Sequence, residues 1–413
     1  MEALPSSSFY ERKVIDVFRR MSAGHLSLHL PDGHTVSIGS PASQIHAVIH
    51  VRDPEFFKSV MLYGDIGFGE AYTAGWWDTP SIERVISWAI LNVKNTPGMS
   101  GSRLGRGLVN LLARVNRIQH WARPNSKKMA RRNISEHYDL GNDFYSLWLD
   151  ETMTYSSGLY TRNDMPLKAA QTAKYDALCR RLELKAGDRV LEIGCGWGGF
   201  ASHAAKNYGC HITALTISAA QYEYASERFL REGIADSVDL RMEDYRDTAG
   251  QFDKIVSIEM MEALGDRYLE TFTRQLHRLL KPEGLVALQF ITCPDQRHDE
   301  MRRNVDWIQK HIFPGSLLLS LSRVGQAMRR SGDLMLHELQ DMGLHYARTL
   351  REWWATFNDR RSEILALGFD DRFMRKWNYY LQYCEAAFAS RNISVVQAVY
   401  TRPNNTGIQR SPL

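Results

Sequence analysis

The sequence predicts an α/β fold built on a parallel sheet, and three patterns support this. From about residue 165, short apolar runs such as "RVLEIGCG", "HITALTIS" and "FDKIVSIEM" alternate with helical stretches. Strands that follow one another in this way pair in parallel through right-handed crossovers. Residues 305–390 are largely helical in pattern and rich in aromatic side chains, which predicts a helical insertion, and "VVQAVYTRP" predicts a last strand.

The region before residue 93 predicts a small α+β domain. "HLSLHL" and "HTVSIG" alternate apolar and polar residues on either side of Pro31-Asp32-Gly33, which is typical of a hairpin. The glycines of residues 64–69 do not follow a strand, so no nucleotide loop is expected there. We predict an accessory domain over 1–93, a basic amphipathic helical linker over 94–135 and the main α/β domain over 136–413. The aromatic residues of the first domain fit either plain packing or the handling of lipid.

Charge is concentrated in the predicted linker. The 413 residues carry 51 Lys/Arg and 47 Asp/Glu, a net charge of +4. Lys94–Ser135 holds ten Lys/Arg and no acidic residue, so the rest of the chain has 41 basic against 47 acidic residues. This distribution favours a specific anionic partner over general nucleic-acid binding. The basic residues could equally form the solvated edge of a packed helix or contact anionic lipid headgroups.

The start of the chain and its cysteines predict a cytoplasmic protein. No run of 18 apolar residues occurs, and the first residues lack a basic-then-apolar signal pattern. The five cysteines form no CxxC pair, which favours free thiols in a reducing compartment.

A glycine-rich loop follows the first predicted strand of the main domain. Glu192 leads into Gly194, Gly196 and Gly198 in a GxGxG pattern. Glycines at the carboxyl edge of an open sheet let the backbone approach a ligand. The spacing is not GxGxxG and no GxxxxGK[ST] occurs, which disfavours dinucleotide and P-loop sites. The pattern is typical of S-adenosylmethionine methyltransferases, and a tight turn without a ligand is the alternative.

The next two strands also end in polar residues. "LTISAAQ" follows the second strand, where ribose hydroxyls need partners, and "MEDYRD" follows the third, where an adenine amino group needs an acceptor. We expect Asp244 to be that acceptor. Ser218 and Asp244 are also good N-cap residues, which is the alternative interpretation of both.

Several longer stretches resemble the cyclopropane-fatty-acyl-phospholipid synthase family, within the mycolic acid cyclopropane synthase-like superfamily. They span about residues 135–403 in the family's order and include "HYDLGNDFYSLWLDETMTYSSGLY", "VLEIGCGWGGFA", "EMMEALGDRYLETF" and "IQKHIFPGSLL". The resemblance implies a class I methyltransferase (Rossmann-like) sheet with a helical substrate-binding insertion. It also makes 136–413 the catalytic domain.

The resemblance further implies an activity. The family adds the methyl group of S-adenosylmethionine to the double bond of an unsaturated acyl chain in a membrane phospholipid, forming a cyclopropane. Two alternatives stay open: a fatty-acyl C-methyltransferase that gives a methylene or methyl branch, with a separate reductase, and a non-catalytic lipid-binding protein. We expect a peripheral protein of an anionic membrane surface and a homodimer.

Site residues carried over from the family fall into two groups, and no metal is expected. For S-adenosylmethionine, the resemblance implies Tyr155 and Ser156 at the carboxylate, Gly194 and Gly196 under the methionine part, Thr216 and Gln221 at the ribose, and Glu243 and Asp244 at the adenine. For a bicarbonate ion acting as general base, it implies Glu262, Tyr346, Gln289 and the backbone N–H groups near Ser157 and Ile291.

Three positions depart from the family's pattern. Ser157 stands where a cysteine is usual, Ala263 where a histidine is usual, and Gln289 where a second histidine would contact the bicarbonate. Glutamine donates and accepts hydrogen bonds but carries no charge, so it should hold an anion less tightly. Aromatic faces could stabilise a cationic acyl chain. The candidates, most of them expected to be plain core, are Trp307, Trp353, Trp354, Trp377, Tyr379 and Tyr380.

Overall fold

The computed structural model describes residues 8–93 and 140–408, and these form two compact units. The smaller contains 8–93, 300–314 and 361–392, and the larger contains 140–299, 315–360 and 393–408. The predicted helical insertion is therefore divided between the units, and a linear boundary at residue 136 does not describe the packing. The predicted linker, residues 94–135, lies outside the described residues.

The elements are numbered in chain order. The helices are α1 (Phe9–Arg19), α2 (Glu55–Thr73), α3 (Ile82–Leu91), α4 (Asn142–Trp148), α5 (Leu167–Arg181), α6 (Gly199–Tyr208), α7 (Ala219–Arg231), α8 (Leu269–Leu279), α9 (Asp295–Arg303), α10 (Trp307–His311), α11 (Leu321–Ser331), α12 (Gly343–Asp359), α13 (Arg361–Ala366) and α14 (Asp371–Ala389). The strands are β1 (His25–His29), β2 (Thr35–Gly39), β3 (His46–Val51), β4 (Trp77–Asp78), β5 (Arg189–Ile193), β6 (His211–Thr216), β7 (Val238–Met242), β8 (Phe252–Ile258), β9 (Leu280–Thr292), β10 (Met335–Asp341) and β11 (Ser394–Thr401).

The smaller unit is a four-stranded sheet covered by helices. Its order is β2-β1-β3-β4, with the predicted β1–β2 hairpin antiparallel and β1–β3 parallel. The glycine-rich segment lies in α2, which kinks at Gly64 (φ 59°). A Cβ on Gly69 would lie 2.5 Å from the ring of Trp307 and 2.8 Å from that of Tyr379. These glycines therefore allow close packing, in agreement with the absence of a nucleotide loop.

The larger unit has a seven-stranded sheet in the order β10-β11-β9-β8-β5-β6-β7. Strands β5 to β9 pair in parallel, and β11 is antiparallel to both β9 and β10. Helices cover both faces: Leu288 packs in the core with α8 and α11, whereas its neighbour Ala287 packs in the core with α5, α6 and α7. The predicted α/β fold is confirmed. The strand order reverses between β5 and β8, and ligands bind at the carboxyl ends of strands at such a point.

Strand β10 is an exception within 305–390, which the pattern predicts to be largely helical. Six of its seven residues are exposed. An edge strand with neither face buried has no apolar alternation to reveal it. In the described part of the chain, no helix is both long and apolar enough to cross a membrane.

Candidate active site

The glycine loop after β5 is fixed to the neighbouring strand. The backbone N–H groups of Gly194 and Cys195 donate to the carbonyl of Leu215 in β6, at 3.0 and 2.8 Å. Gly194 (φ 82°) and Gly196 (φ 54°) take left-handed conformations. A Cβ on Gly194 would lie 2.9 Å from Cγ of Met260, while one on Gly196 would meet nothing within 4 Å. The loop therefore leaves open space above Gly196.

The residues after β6 combine both roles considered for them. Ser218 caps α7 by accepting from the backbone N–H of Gln221 at 3.4 Å. Thr216 is also buried, and its hydroxyl donates to the Gln221 side-chain oxygen at 3.0 Å. The helix cap and a fixed pair of polar side chains thus occur together at this strand end.

The residues after β7 lie beside the same strand end. The backbone N–H of Glu243 donates to the carbonyl of Thr216 at 3.1 Å. Asp244 is buried and accepts from Nε and Nη2 of Arg246 at 2.8 and 2.6 Å, and Glu243 accepts from the hydroxyl of Thr248 at 2.7 Å. The structure therefore brings the predicted ribose and adenine residues to one edge, with both carboxylates already hydrogen-bonded.

Tyr155 and Ser156 lie between an aromatic cluster and a buried lysine. The Tyr155 ring packs against Trp148 and Trp353, with centroids 5.5 and 5.3 Å away. The Ser156 hydroxyl lies 2.6 Å from Nζ of Lys174, a residue with no exposed surface. Burial lowers the pKa of Lys174 to about 7, although nearby carboxylates oppose the shift.

Glu259, at the end of β8, is the centre of a hydrogen-bonded cluster. Its Oε1 accepts from the backbone N–H of Ser157 at 2.9 Å and from Nε2 of Gln289 at 2.7 Å. Its Oε2 accepts from the Tyr346 hydroxyl at 2.8 Å. Its φ of 49° is left-handed, which costs a non-glycine residue about 1–2 kcal/mol. Such strain persists only where surrounding contacts enforce it.

A relay of side chains fixes the orientation of Gln289. Arg181 in α5 donates to Oε1 of Gln397, whose Nε2 then donates to Oε1 of Gln289 at 2.9 Å. A guanidinium can only donate, so it sets the direction of both glutamine amides. Because the oxygen of the Gln289 amide faces Gln397, its NH₂ group must face an acceptor, and that acceptor is Glu259.

Glu262 lies in a 3₁₀ turn just after Glu259 and has a different environment. One of its oxygens accepts from the backbone N–H of Ile291, and within the described residues the buried Oε2 has no hydrogen-bond partner. Burial and the charge of Glu259 raise the pKa of Glu262 to about 8. Burial also raises the pKa of Glu259, but the N–H of Ser157, the Lys174 charge and the other donors oppose it. Of the two carboxyl groups, Glu259 is therefore the one whose charged form is stabilised by several donors and a buried cation.

The structure corrects the predicted anion site in one respect. Gln289, Tyr346 and the backbone N–H of Ser157, which were expected to hold bicarbonate together with Glu262, instead hold the carboxylate of Glu259. The residues present thus do not fit a bicarbonate ion, since its donors are already used. Sequence reasoning missed Glu259, although "EMMEALG" shows two glutamates three residues apart. It also missed Lys174, Arg181 and Gln397.

The aromatic candidates are divided between the units. Trp353 and Trp354 lie on α12 of the larger unit, and the Trp353 ring is 6.0 Å from that of Tyr346. Trp307, Trp377, Tyr379 and Tyr380 belong to the smaller unit and are buried there.

The fold and this edge of the sheet define a class I S-adenosylmethionine-dependent methyltransferase. The loop geometry fits that cosubstrate: Gly194 and Gly196 leave the backbone uncovered, Thr216 and Gln221 present polar atoms at the next strand, and Glu192 keeps a buried oxygen without a partner among the described residues.

Comparison with known proteins gives the particular family. The mycolic acid cyclopropane synthetase family matches residues 125–398, and the chain belongs to it. It is 36% identical over 396 residues to tuberculostearic acid methyltransferase UfaA1 of Mycobacterium tuberculosis, covering 92% of this chain and 88% of the relative. It is 37% identical over 373 residues to cyclopropane-fatty-acyl-phospholipid synthase of Escherichia coli K12, covering 88% and 90%.

Solved structures agree. The cyclopropane synthase MmaA2 of Mycobacterium tuberculosis superimposes with a TM-score of 0.61 at 29% identity, over 66% of this chain and 98% of that one. Mycolic acid cyclopropane synthase CmaA1, in complex with SAH and CTAB, gives the same values. The predicted fold class and enzyme class are both confirmed.

Proposed function

We propose that this enzyme methylates the double bond of an unsaturated acyl chain in a membrane phospholipid and closes a cyclopropane ring. The observation that carries the proposal is an aromatic cluster in which the buried Trp353 ring joins the half-buried Tyr155 to the buried Tyr346. An alkene is a weak nucleophile, and methylation makes its second carbon cationic. Aromatic faces stabilise such a cation where water is excluded. The identity to the Escherichia coli synthase supports the same reaction.

The chain's own residues would position the reactants. Bound S-adenosylmethionine supplies an electrophilic methyl group on a sulfonium. Gly194 and Gly196 would hold its methionine part, Thr216 and Gln221 its ribose, and Glu243 and Asp244 its adenine, with Tyr155 and Ser156 at its carboxylate. Alignment and desolvation of a poor nucleophile supply much of the acceleration in such reactions.

A branched product is the second candidate. The relative covering 92% of this chain is named a tuberculostearic acid methyltransferase, and Gln289 departs from the cyclopropane pattern. A hydride shift followed by proton loss would give a methylene branch, and a separate reductase would then be needed for a methyl branch. The family membership and the complete glycine loop argue against a non-catalytic lipid-binding protein.

The product of the full chain decides between these functions. The protein is expressed in a host rich in monounsaturated phospholipid, and fatty acid methyl esters are analysed by mass spectrometry before and after mild hydrogenation. A cyclopropane resists hydrogenation, a methylene branch takes up hydrogen, and a methyl-branched chain is already heavier by two hydrogens. Absence of any methylated chain would contradict both functions.

Peripheral membrane docking is part of the same proposal. Lys94–Ser135 carries ten basic and no acidic residues, and each contributes about 1 kcal/mol near an anionic surface. Charge reversal of Arg114, Arg117, Lys127 and Lys128 should weaken co-sedimentation with anionic vesicles, as should added salt. Binding indifferent to both would contradict docking through this segment. A homodimer stays a prediction.

A further inference from the structure

Glu259 has one acceptor position left after its three hydrogen bonds. A carboxylate offers about four lone-pair sites. Both sites of Oε1 are used, by Ser157 and Gln289, whereas Oε2 accepts from Tyr346 only, counting donors in the described residues. The free site therefore belongs to Oε2, and donors from separate elements fix its direction.

The position of Glu259 connects it with the cosubstrate loop. Its neighbour Met260 lies against Gly194, since a Cβ on that glycine would come within 2.9 Å of Met260 Cγ. Its donor Ser157 directly follows Tyr155 and Ser156, which are predicted to contact S-adenosylmethionine. Glu259 also keeps some accessible surface although its carboxylate is enclosed by protein. It is therefore placed to meet a reactant.

The surrounding charges favour one anion at this place and disfavour two. Lys174 is buried nearby, and its attraction to Glu259 favours the charged form of each. The charge of Glu259 already raises the pKa of Glu262. A bicarbonate ion would add a further negative charge in a low-dielectric interior, where like charges repel strongly. The donors that were expected to bind bicarbonate would also have to give up their hydrogen bonds to Glu259.

We propose that Oε2 of Glu259 is the general base of this enzyme, in place of a bicarbonate ion; this rests on the function proposed above. The π electrons of the alkene form the first new C–C bond as the bond between sulfur and the methyl group breaks, and that bond's electron pair stays on sulfur. A C–H bond of the added methyl then breaks, its electrons close the ring, and its proton goes to Oε2. For a branched product the same electrons form a C=C bond after the hydride shift.

The test compares Glu259→Gln and Glu259→Gly with the unaltered full chain. Each is assayed with S-adenosylmethionine and dioleoyl phosphatidylglycerol vesicles in buffer freed of carbon dioxide, with and without added bicarbonate. Asp65→Asn removes a buried carboxylate of the smaller unit and is the matched control. Thermal unfolding and calorimetric binding of S-adenosylmethionine show whether each variant is folded and binds its cosubstrate.

We expect the unaltered enzyme to turn over equally with and without bicarbonate. Glu259→Gln should lower turnover by about 10²–10⁴-fold, the usual contribution of a general base, while cosubstrate affinity is kept. Glycine takes a φ of 49° without strain, so Glu259→Gly keeps the three donors in place, and added bicarbonate should restore part of its turnover. Asp65→Asn should match the unaltered enzyme in turnover and in cosubstrate affinity.

A binding measurement separates this inference from the proposed function. Carbon-13 bicarbonate should broaden in nuclear magnetic resonance with Glu259→Gly and not with the unaltered protein, whether or not a lipid product forms. Binding by the unaltered protein, loss of its activity when bicarbonate is removed, or full turnover by folded Glu259→Gln would each overturn the inference. A lack of any methylated lipid would overturn the proposed function and leave the binding result to decide the role of the ion.

Discussion

Each compact unit encloses a pair of carboxyl groups, and the two pairs are held differently. Glu259, next to Glu262, accepts hydrogen bonds from three donors, and these donors oppose the rise that burial causes in its pKa. In the smaller unit, Asp65 accepts from the backbone N–H of Ile66 at 2.9 Å, and Asp306 caps α10. Burial raises the pKa of Asp65 to about 7, and the charge of Asp306 adds to the rise.

The difference shows what burial alone does to a carboxyl group. Without converging donors, desolvation favours the protonated form. At Glu259, three donors and a buried lysine oppose that shift in an equally enclosed place. A carboxylate that acts as a base needs donors and a nearby cation of this kind, whereas a carboxylate that caps a helix does not.

Among changes to the groups that surround these carboxyl pairs, the largest expected effect comes from Tyr346→Phe, which removes one donor to Glu259. A hydrogen bond to a charged group contributes about 1.5–3 kcal/mol, so turnover should fall by about 10–100-fold. The pKa of Glu259 should rise further without this bond. Because a base must be deprotonated, the acid limb of the pH–rate profile should move to higher pH.

The matched control for that change is Tyr383→Phe. Tyr383 is a tyrosine of the smaller unit whose pKa is raised by burial and by the charges of Asp306 and Asp65. Its loss should leave the pH profile unchanged. An unshifted acid limb in folded Tyr346→Phe would remove the distinction between the two pairs.

A smaller effect is expected from Arg181→Met, which breaks the relay to Gln289. The amide of Gln397 could then reverse, and Gln289 would no longer be forced to donate to Glu259. We expect a fall in turnover of about 10-fold, near the contribution of one hydrogen bond, with the acid limb shifted and cosubstrate affinity kept. Arg180→Met is the control, because Arg180 pairs with Asp176 at an exposed site. Equal kinetics for both variants would make Arg181 purely structural.

The smallest expected effect is on the pH dependence of folding stability, and it should have the same sign for Glu262 and Asp65. Each has a pKa raised in the folded state, to about 8 and about 7, so the stability each contributes is present at low pH. That contribution is lost as pH rises through these values. The amides of Glu262→Gln and Asp65→Asn stay neutral at every pH. The unfolding temperature of each variant minus that of the unaltered protein should therefore be higher in alkaline than in acidic buffer. For a chain of 413 residues, we expect about 1 °C by calorimetry for each kcal/mol regained. A difference independent of pH would show that neither carboxyl is protonated when folded.

The parts of the site that depend on neighbouring residues could be predicted from the sequence. The glycine loop and the Thr216–Gln221 pair each lie within one strand end, where pattern and chemistry are local. Which of two glutamates faces the donors could not be predicted, because it depends on a left-handed φ at Glu259. The relay was also invisible, since Arg181 and Gln397 are 216 residues apart in the chain.

The division of the fold escaped prediction for a related reason. The pattern predicts that residues 305–390 are largely helical but does not say which partner buries each helix. Here α10 and α14 pack with α2, and α14 also packs with α3. Only the assembled structure shows that the helical insertion serves two units.

The division of the chain between two units affects the order in which its parts can fold during synthesis. The smaller unit contains residues 8–93, yet it lacks α14 until residue 389 has been synthesised. Until then, the surfaces of α2 and α3 that α14 covers stay exposed. Domains generally fold as units during synthesis, so the smaller unit cannot complete its folding before that point. Residues 8–93 are therefore synthesised well before they can finish folding, and the nascent chain would need protection from aggregation until α14 has emerged.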